Sequence, residues 1–113
     1  MDARQFFYVY MLECRNGNYY TGYAADIKKR LETHIAGKKS AARFTRSFKP
    51  VRLLACWKVH GDKGAAMKVE YFIKRHTRAE KEVFVKTPEE LEAAFIKKRG
   101  IEIKIEPYID IKI

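Results

Sequence analysis

Arg30 and His34 stand four residues apart, and two tyrosines, Tyr10 and Tyr20, flank an Asn16-Gly17 pair shortly before them. A guanidinium presents a planar fork of donors to anionic oxygens, and an imidazole exchanges a proton near neutral pH. On one helix, residues four apart share a face, so Arg30 and His34 can meet a single anionic target. Farther along, Glu70 falls at the edge of an apolar arc with Lys74 one turn later, where its carboxylate would look out over the lip of a pocket. Each of these residues also has a plain structural reading. Strands favour tyrosine, helix charges are commonly solvated, and a Glu70–Lys74 pair at this spacing is worth only about 0.2–0.5 kcal/mol. His60 and His76 read as structural.

Charge indicates what the target would be. The 113 residues hold 24 Lys and Arg against 14 Asp and Glu, a formal net charge of +10, which makes polyanions the natural partner class. The excess is uneven: residues 1–87 carry 19 basic and 8 acidic residues, whereas residues 88–113 carry 5 and 6. The length suits one domain. The longest apolar run, Phe6 to Leu12, is far short of the roughly 20 residues of a membrane-spanning helix, so no membrane role is expected. Met1-Asp2-Ala3-Arg4 lacks the marks of a secretory leader, and Cys14 and Cys56 show neither CxxC spacing nor a disulfide framework. A cytoplasmic location with free thiols is the expectation.

The elements that must hold these residues follow from periodicity. Phe6–Leu12 is a short aromatic and β-branched run, expected as a strand covered on both faces. The Arg15-Asn16-Gly17-Asn18 turn leads to a second strand at Tyr19–Tyr23, giving a hairpin that gathers tyrosines across its ladder. Ile27, Leu31 and Ile35 mark a helix with Asp26 as N-cap and Gly37 as its stop. A basic loop from Gly37 to Pro50 contains Lys38, Lys39, Arg43, Arg46 and Lys49, with Thr45 among its hydroxyl residues, and Val51–Val59 forms a third strand. A helix from Ala65 to about His76 turns Ala65, Val69, Phe72, Ile73 and His76 inward, and a weaker helical segment runs from Thr77 to about Val85. Thr87-Pro88-Glu89-Glu90 reads as a capping box opening a helix that buries Leu91, Ala94 and Phe95 and stops at Gly100. From Ile101 to Ile113 every odd residue except Pro107 is apolar, the alternation of an edge strand or of a hairpin bent at Pro107.

A tyrosine hairpin, a helix with Arg and His one turn apart, a third strand and a helix with a carboxylate at its edge together resemble the GIY-YIG nuclease family. The resemblance rests on Tyr8-Val9-Tyr10, on Tyr20-Thr21-Gly22, on Arg30 ten residues after Tyr20 with His34 four later, and on Glu70 with Lys74. Tyr8 stands where the family name has Gly, and Thr21 where it has Ile. The likeness spans roughly residues 6–85 and is greatest to small stand-alone members. It implies an α+β fold with a small three-stranded antiparallel or mixed sheet flanked by helices. A nuclease-like domain over residues 1–86 would carry a C-terminal helix and strand extension, residues 87–113, packed on it.

The resemblance further implies a metal-dependent endonuclease that hydrolyses phosphodiester bonds in DNA, or in RNA, with structured or damaged DNA in repair or recombination as candidate substrates. Tyr10, Tyr20, Arg30, His34 and Glu70 would be the catalytic residues. Glu70, as a lone carboxylate, would bind Mg²⁺ or Mn²⁺ with water completing the coordination. Arg30 would clamp the phosphate, Tyr20 would orient or deprotonate water, and Tyr10 and His34 would position groups or relay the proton. A phenol of ordinary pKa near 10 would need the positive charge of Arg30 or of the metal to act as a base. Lys38, Lys39, Arg43, Arg46 and Lys74 would contact the nucleic-acid backbone. The alternative is a non-catalytic binding or adaptor module that keeps the fold, and the extension offers an edge for a protein partner or for self-association.

Overall fold

The computed structural model describes residues 5–36 and 49–109. In chain order the elements are β1 (Phe6–Cys14), β2 (Tyr19–Ala24), α1 (Ile27–Ala36), β3 (Pro50–His60), α2 (Lys63–Lys74), α3 (Arg78–Lys86), α4 (Glu90–Arg99) and β4 (Ile105–Pro107). All strands pair antiparallel, in the order β2-β1-β3-β4. The fold is α+β as expected, with a fourth strand supplied by the C-terminal extension.

The β1–β2 turn forms because Gly17 takes φ 83°, a conformation open to glycine at little cost, while Asn16 Oδ1 accepts the Asn18 N–H at 3.1 Å. That turn sets the register in which Tyr10 faces Gly22 and Leu12 faces Tyr20. On its other side β1 places Tyr10 opposite Cys56. Strand alternation then divides the residues between two layers. Val9, Met11, Trp57 and Val59 pack with Ala66, Val69, Phe72 and Ile73 of α2, Phe84 of α3, Leu91 and Phe95 of α4, and Ile105 of β4. Tyr10, Leu12 and Cys56 pack instead with Ile27 and Leu31 of α1. Among the described residues, one face of the sheet thus carries three helices and the other carries α1.

Asp26 opens α1 by accepting the Lys29 N–H at 3.1 Å, and Asp62 opens α2 by accepting the Ala65 N–H at 3.0 Å. Because α2 begins at Lys63, Ala66 rather than Ala65 enters the core fully. The capping box forms ten residues before the expected place. Thr77 accepts the Glu80 N–H at 3.2 Å, and Glu80 Oε1 accepts the Thr77 N–H at 2.8 Å. Thr87 instead ends α3, its N–H bonding to the Val83 carbonyl, and the Pro88 carbonyl accepts Trp57 Nε1–H at 2.8 Å. With Thr87 and Pro88 so engaged, α4 starts at Glu90 without a side-chain cap. Gly100 ends it in the left-handed conformation, φ 67°, as expected.

Among the described residues the alternating tail pairs over three, Trp57 to Pro107, Lys58 to Glu106 and Val59 to Ile105. Pro107 lacks an N–H and closes this edge strand. Ile101 and Ile103 pack against the larger core before it, and Tyr108 packs after it on the opposite face, against Tyr8 at 5.0 Å between rings. No described helix is long and apolar enough to cross a membrane.

Candidate active site

Tyr10 and His34 are fully buried, and the Tyr10 hydroxyl lies 2.7 Å from His34 Nε2. The Tyr20 ring completes a triangle, 6.3 Å from Tyr10 and 5.3 Å from His34 between centroids. The register causes this meeting: Tyr20 is the diagonal neighbour of Tyr10 on the face that α1 covers, and His34 comes from the last turn of α1. Gly22, directly opposite Tyr10, is required for the packing. A Cβ there would stand 2.6 Å from the Tyr10 oxygen, 2.8 Å from its Cζ and 2.9 Å from Tyr20 Cε2. The glycine of the second triplet therefore makes room for both rings.

Electrostatics join Arg30 and Glu70 to the triangle. Burial pushes the Tyr10 hydroxyl well above the ordinary phenol range. Tyr20 and Glu70 add to the rise, and Arg30 opposes it. Tyr20 is also raised, chiefly by burial and further by Glu70, with Arg30 again opposing. Both phenols thus feel Arg30 and Glu70, which come from α1 and α2. The expectation that Arg30 would tune Tyr20 downward meets a stronger opposing effect, because removing the phenolate from water costs more than the guanidinium returns. His34 is pushed down to about 4 by burial and then by Arg30, so it is uncharged at neutral pH. The Tyr10–His34 hydrogen bond joins two neutral groups, and its direction follows the imidazole tautomer.

Glu70 keeps 18% of its side-chain surface exposed and pairs with Lys74 Nζ at 3.4 Å. Lys74 therefore reaches the site through Glu70. Among the described residues no three His, Cys, Asp or Glu side chains gather as a metal cage. A single hard-oxygen ligand that retains access to water fits Mg²⁺ or Mn²⁺, whose shells are largely water, and does not fit structural zinc. Lys38, Lys39, Arg43, Thr45 and Arg46 lie outside the described residues. His60 pairs with Glu106 at 2.5 Å, and His76 Nδ1–H donates to the Phe72 carbonyl at 2.7 Å.

The shape of the surface adds a feature that the sequence reading missed. A large cavity lies away from the tyrosine triangle, among α2, α3 and α4, and its lining includes Arg75 and Lys97–Arg99. Along the chain these cations looked like helix-terminal charges, and only the packing of two helix ends brings them together.

The family description "GIY-YIG catalytic domain" matches residues 6–83. The chain belongs to the GIY-YIG family. It is 44% identical over 78 residues to the UPF0213 protein BH0048 of Halalkalibacterium halodurans, a match covering 69% of this chain and 80% of that protein. To a UPF0213 protein of Streptococcus pyogenes serotype M5 it is 48% identical over 81 residues, covering 71% and 85%. The solution NMR structure of BH0048 aligns with a TM-score of 0.45 at 40% identity, covering 76% of this chain and 92% of that one. The GIY-YIG match supports membership in a nuclease family and a nucleic-acid substrate.

Proposed function

We propose that this GIY-YIG protein is a divalent-metal-dependent endonuclease that hydrolyses phosphodiester bonds in DNA, on structured or damaged substrates of repair or recombination. The observation that carries the reading is the convergence of Tyr10, Tyr20 and His34, from β1, β2 and α1, at a point where the charges of Arg30 and Glu70 are both felt. Glu70 would hold Mg²⁺ or Mn²⁺, which when bound supplies positive charge to the phosphate and leaving oxygen. Arg30 clamps the non-bridging phosphate oxygens with its planar fork. Tyr20, half-buried and beside Arg30, orients the attacking water. His34, uncharged at neutral pH, can hold a proton once one arrives, and Tyr10 fixes its ring through the 2.7 Å hydrogen bond. Lys74 balances Glu70 and lies near the path of the backbone.

We assign catalysis to residues 1–86 and propose that residues 87–113 are an extension packed on the same domain. Leu91, Phe95 and Ile105 lie in one core with Val9 and Trp57, which supports that division. A cytoplasmic setting suits the two buried free cysteines.

Cleavage of a panel of labelled branched, nicked, single-stranded and duplex DNAs, with Mg²⁺, Mn²⁺ or EDTA, tests the reading. Cutting should require metal, and Arg30→Ala and Glu70→Ala should each lower it by about 10²–10³-fold while salt-sensitive binding persists. A Glu70→Ala protein that cuts as fast as wild type would overturn the mechanism.

A further inference from the structure

The cavity among α2, α3 and α4 has a volume of about 870 Å³, and none of the five residues placed in the catalytic site lines it. Its walls carry Arg75 from the end of α2 and Lys97, Lys98 and Arg99 from the end of α4, with Glu80 as the acidic member. Glu80 is committed to the Thr77 capping box, where its carboxylate accepts the Thr77 N–H. At the rim, Tyr71 is 51% exposed, and Arg75 donates to its hydroxyl at 3.2 Å with the guanidinium 5.7 Å from the ring centroid. Residues 88–113 are close to neutral by composition, with 5 basic and 6 acidic residues, yet folding separates the two signs. Glu90 and Glu92 stand in the first turn of α4, while Lys97–Arg99 occupy its last turn beside Arg75.

Cations at a helix C-terminus are favoured by the macrodipole. That effect accounts for basic residues at each helix end separately. It does not account for two such ends converging on one open cavity with a half-exposed aromatic ring at its edge. Four cations and a stacking ring in an open groove are the elements of a single-strand site, where phosphates meet the charges and a base lies on the ring. A space of this size holds a few nucleotides of single strand.

We propose that this groove binds a single-stranded segment of nucleic acid. The inference rests on the nuclease reading: Glu70 and Lys74 pair on α2, and the residue that follows each in the chain, Tyr71 and Arg75, lines the groove, so a strand engaged at Glu70 has the groove beside it. The preferred substrate would then be one with a free single strand beside the cut, such as a flap or a splayed junction.

Fluorescence anisotropy of the full chain with labelled oligothymidylate, in EDTA so that no cutting occurs, tests this. Lys97→Ala/Lys98→Ala/Arg99→Ala should weaken binding at least tenfold at physiological salt. The slope of log affinity against log salt should become shallower by about two, since each single-strand phosphate contact contributes about 0.7. Tyr71→Ala should cost about tenfold by loss of stacking. A control triple of equal charge away from the groove, Lys63→Ala/Lys86→Ala/Lys104→Ala, should stay within about twofold at physiological salt, where distant charges are screened. Equal losses in the two triples, no effect of Tyr71→Ala, or displacement by polyglutamate as efficient as by oligothymidylate would each overturn the groove assignment. If metal-dependent cutting persists while the groove variants bind as wild type, the groove inference alone fails. If the wild-type chain binds no nucleic acid, the nuclease reading fails as well.

Discussion

Thirteen buried apolar residues fill one face of the sheet, gathered among the described residues from β1, β3, β4 and the three helices α2, α3 and α4. The other face is closed by α1, and its core numbers five: Tyr10, Leu12, Ile27, Leu31 and Cys56. That thinner layer also holds the buried His34 and the phenol bonded to it. Apolar area removed from water is the main source of folding free energy, so the thicker face carries most of the stability. A layer that buries a histidine and a phenol spends part of its stability on groups that prefer water. The comparison indicates that Tyr10 and His34 of the candidate site can occupy the thin face because the thick one makes the fold secure without them.

The largest expected effect comes from breaking the thick face. Phe95 is fully buried on α4 and meets Phe72 edge-on at 5.3 Å. Phe95→Ala should cost about 3–5 kcal/mol of unfolding free energy, measured by denaturant titration, and activity should vanish with the fold. A cost under about 1 kcal/mol would show that residues 87–113 are dispensable to the core.

The thin face should announce itself through pH. His34 titrates at about 4 in the folded chain and near 6.5 when unfolded. Its neutral form is favoured by folding, so its contribution is intact above pH 6.5. Below that, the unfolded chain takes up a proton that the folded chain refuses, and stability falls as the pH drops from 6.5 to 4. The slope should approach 1.4 kcal/mol per pH unit, a loss on the order of 3 kcal/mol by pH 4. His34→Gln should flatten the curve between pH 6.5 and 4.5. A wild-type curve already flat there would remove the claim that burial holds this imidazole neutral.

Gly22→Ala separates the two faces from within one strand. The new Cβ would meet the Tyr10 hydroxyl oxygen at 2.6 Å and ring carbons of Tyr10 and Tyr20 at 2.8 and 2.9 Å, and Tyr10 is fully buried and cannot swing aside. The expected cost is about 1–3 kcal/mol in stability. Cleavage, measured where the variant remains fully folded, should fall by more than that loss explains, because the displaced atoms belong to the candidate site. A folded variant that cuts normally would argue that the spacing of the two phenols is unimportant.

The sequence revealed this thin face better than it revealed the thick one. The tyrosine hairpin was legible because Asn16-Gly17 fixes a turn and strand alternation then fixes which rings meet. Arg30 and His34 were legible through helical spacing, and the structure brings His34 onto Tyr10. The balance of charges on Tyr20 was not legible, since burial is a tertiary property and outweighed the neighbouring arginine. The edge strand was legible by its alternation, but which of its described residues pair with β3, Ile105 to Pro107, was not, because alternation reports which residues could pair and tertiary structure selects among them. The basic groove was hidden for a related reason: charge counted along the chain averages the two ends of α4, and folding resolves them.

The smallest effect concerns where α3 begins. Thr77 and Thr87 both precede an acidic residue three positions on, Glu80 and Glu90, so local pattern alone does not choose between them. Tertiary structure chooses, because Thr87 closes α3 and Pro88 is held by the Trp57 indole, leaving Thr77 to make both reciprocal bonds. Thr77→Ala should therefore cost about 1 kcal/mol of stability, and Thr87→Ala within about 0.5 kcal/mol. Paired denaturant curves resolve this difference. A reversed order would mean that α4 is capped at Thr87 after all, and that the link between the thick face and the C-terminal extension is made differently from the Trp57–Pro88 hydrogen bond described above.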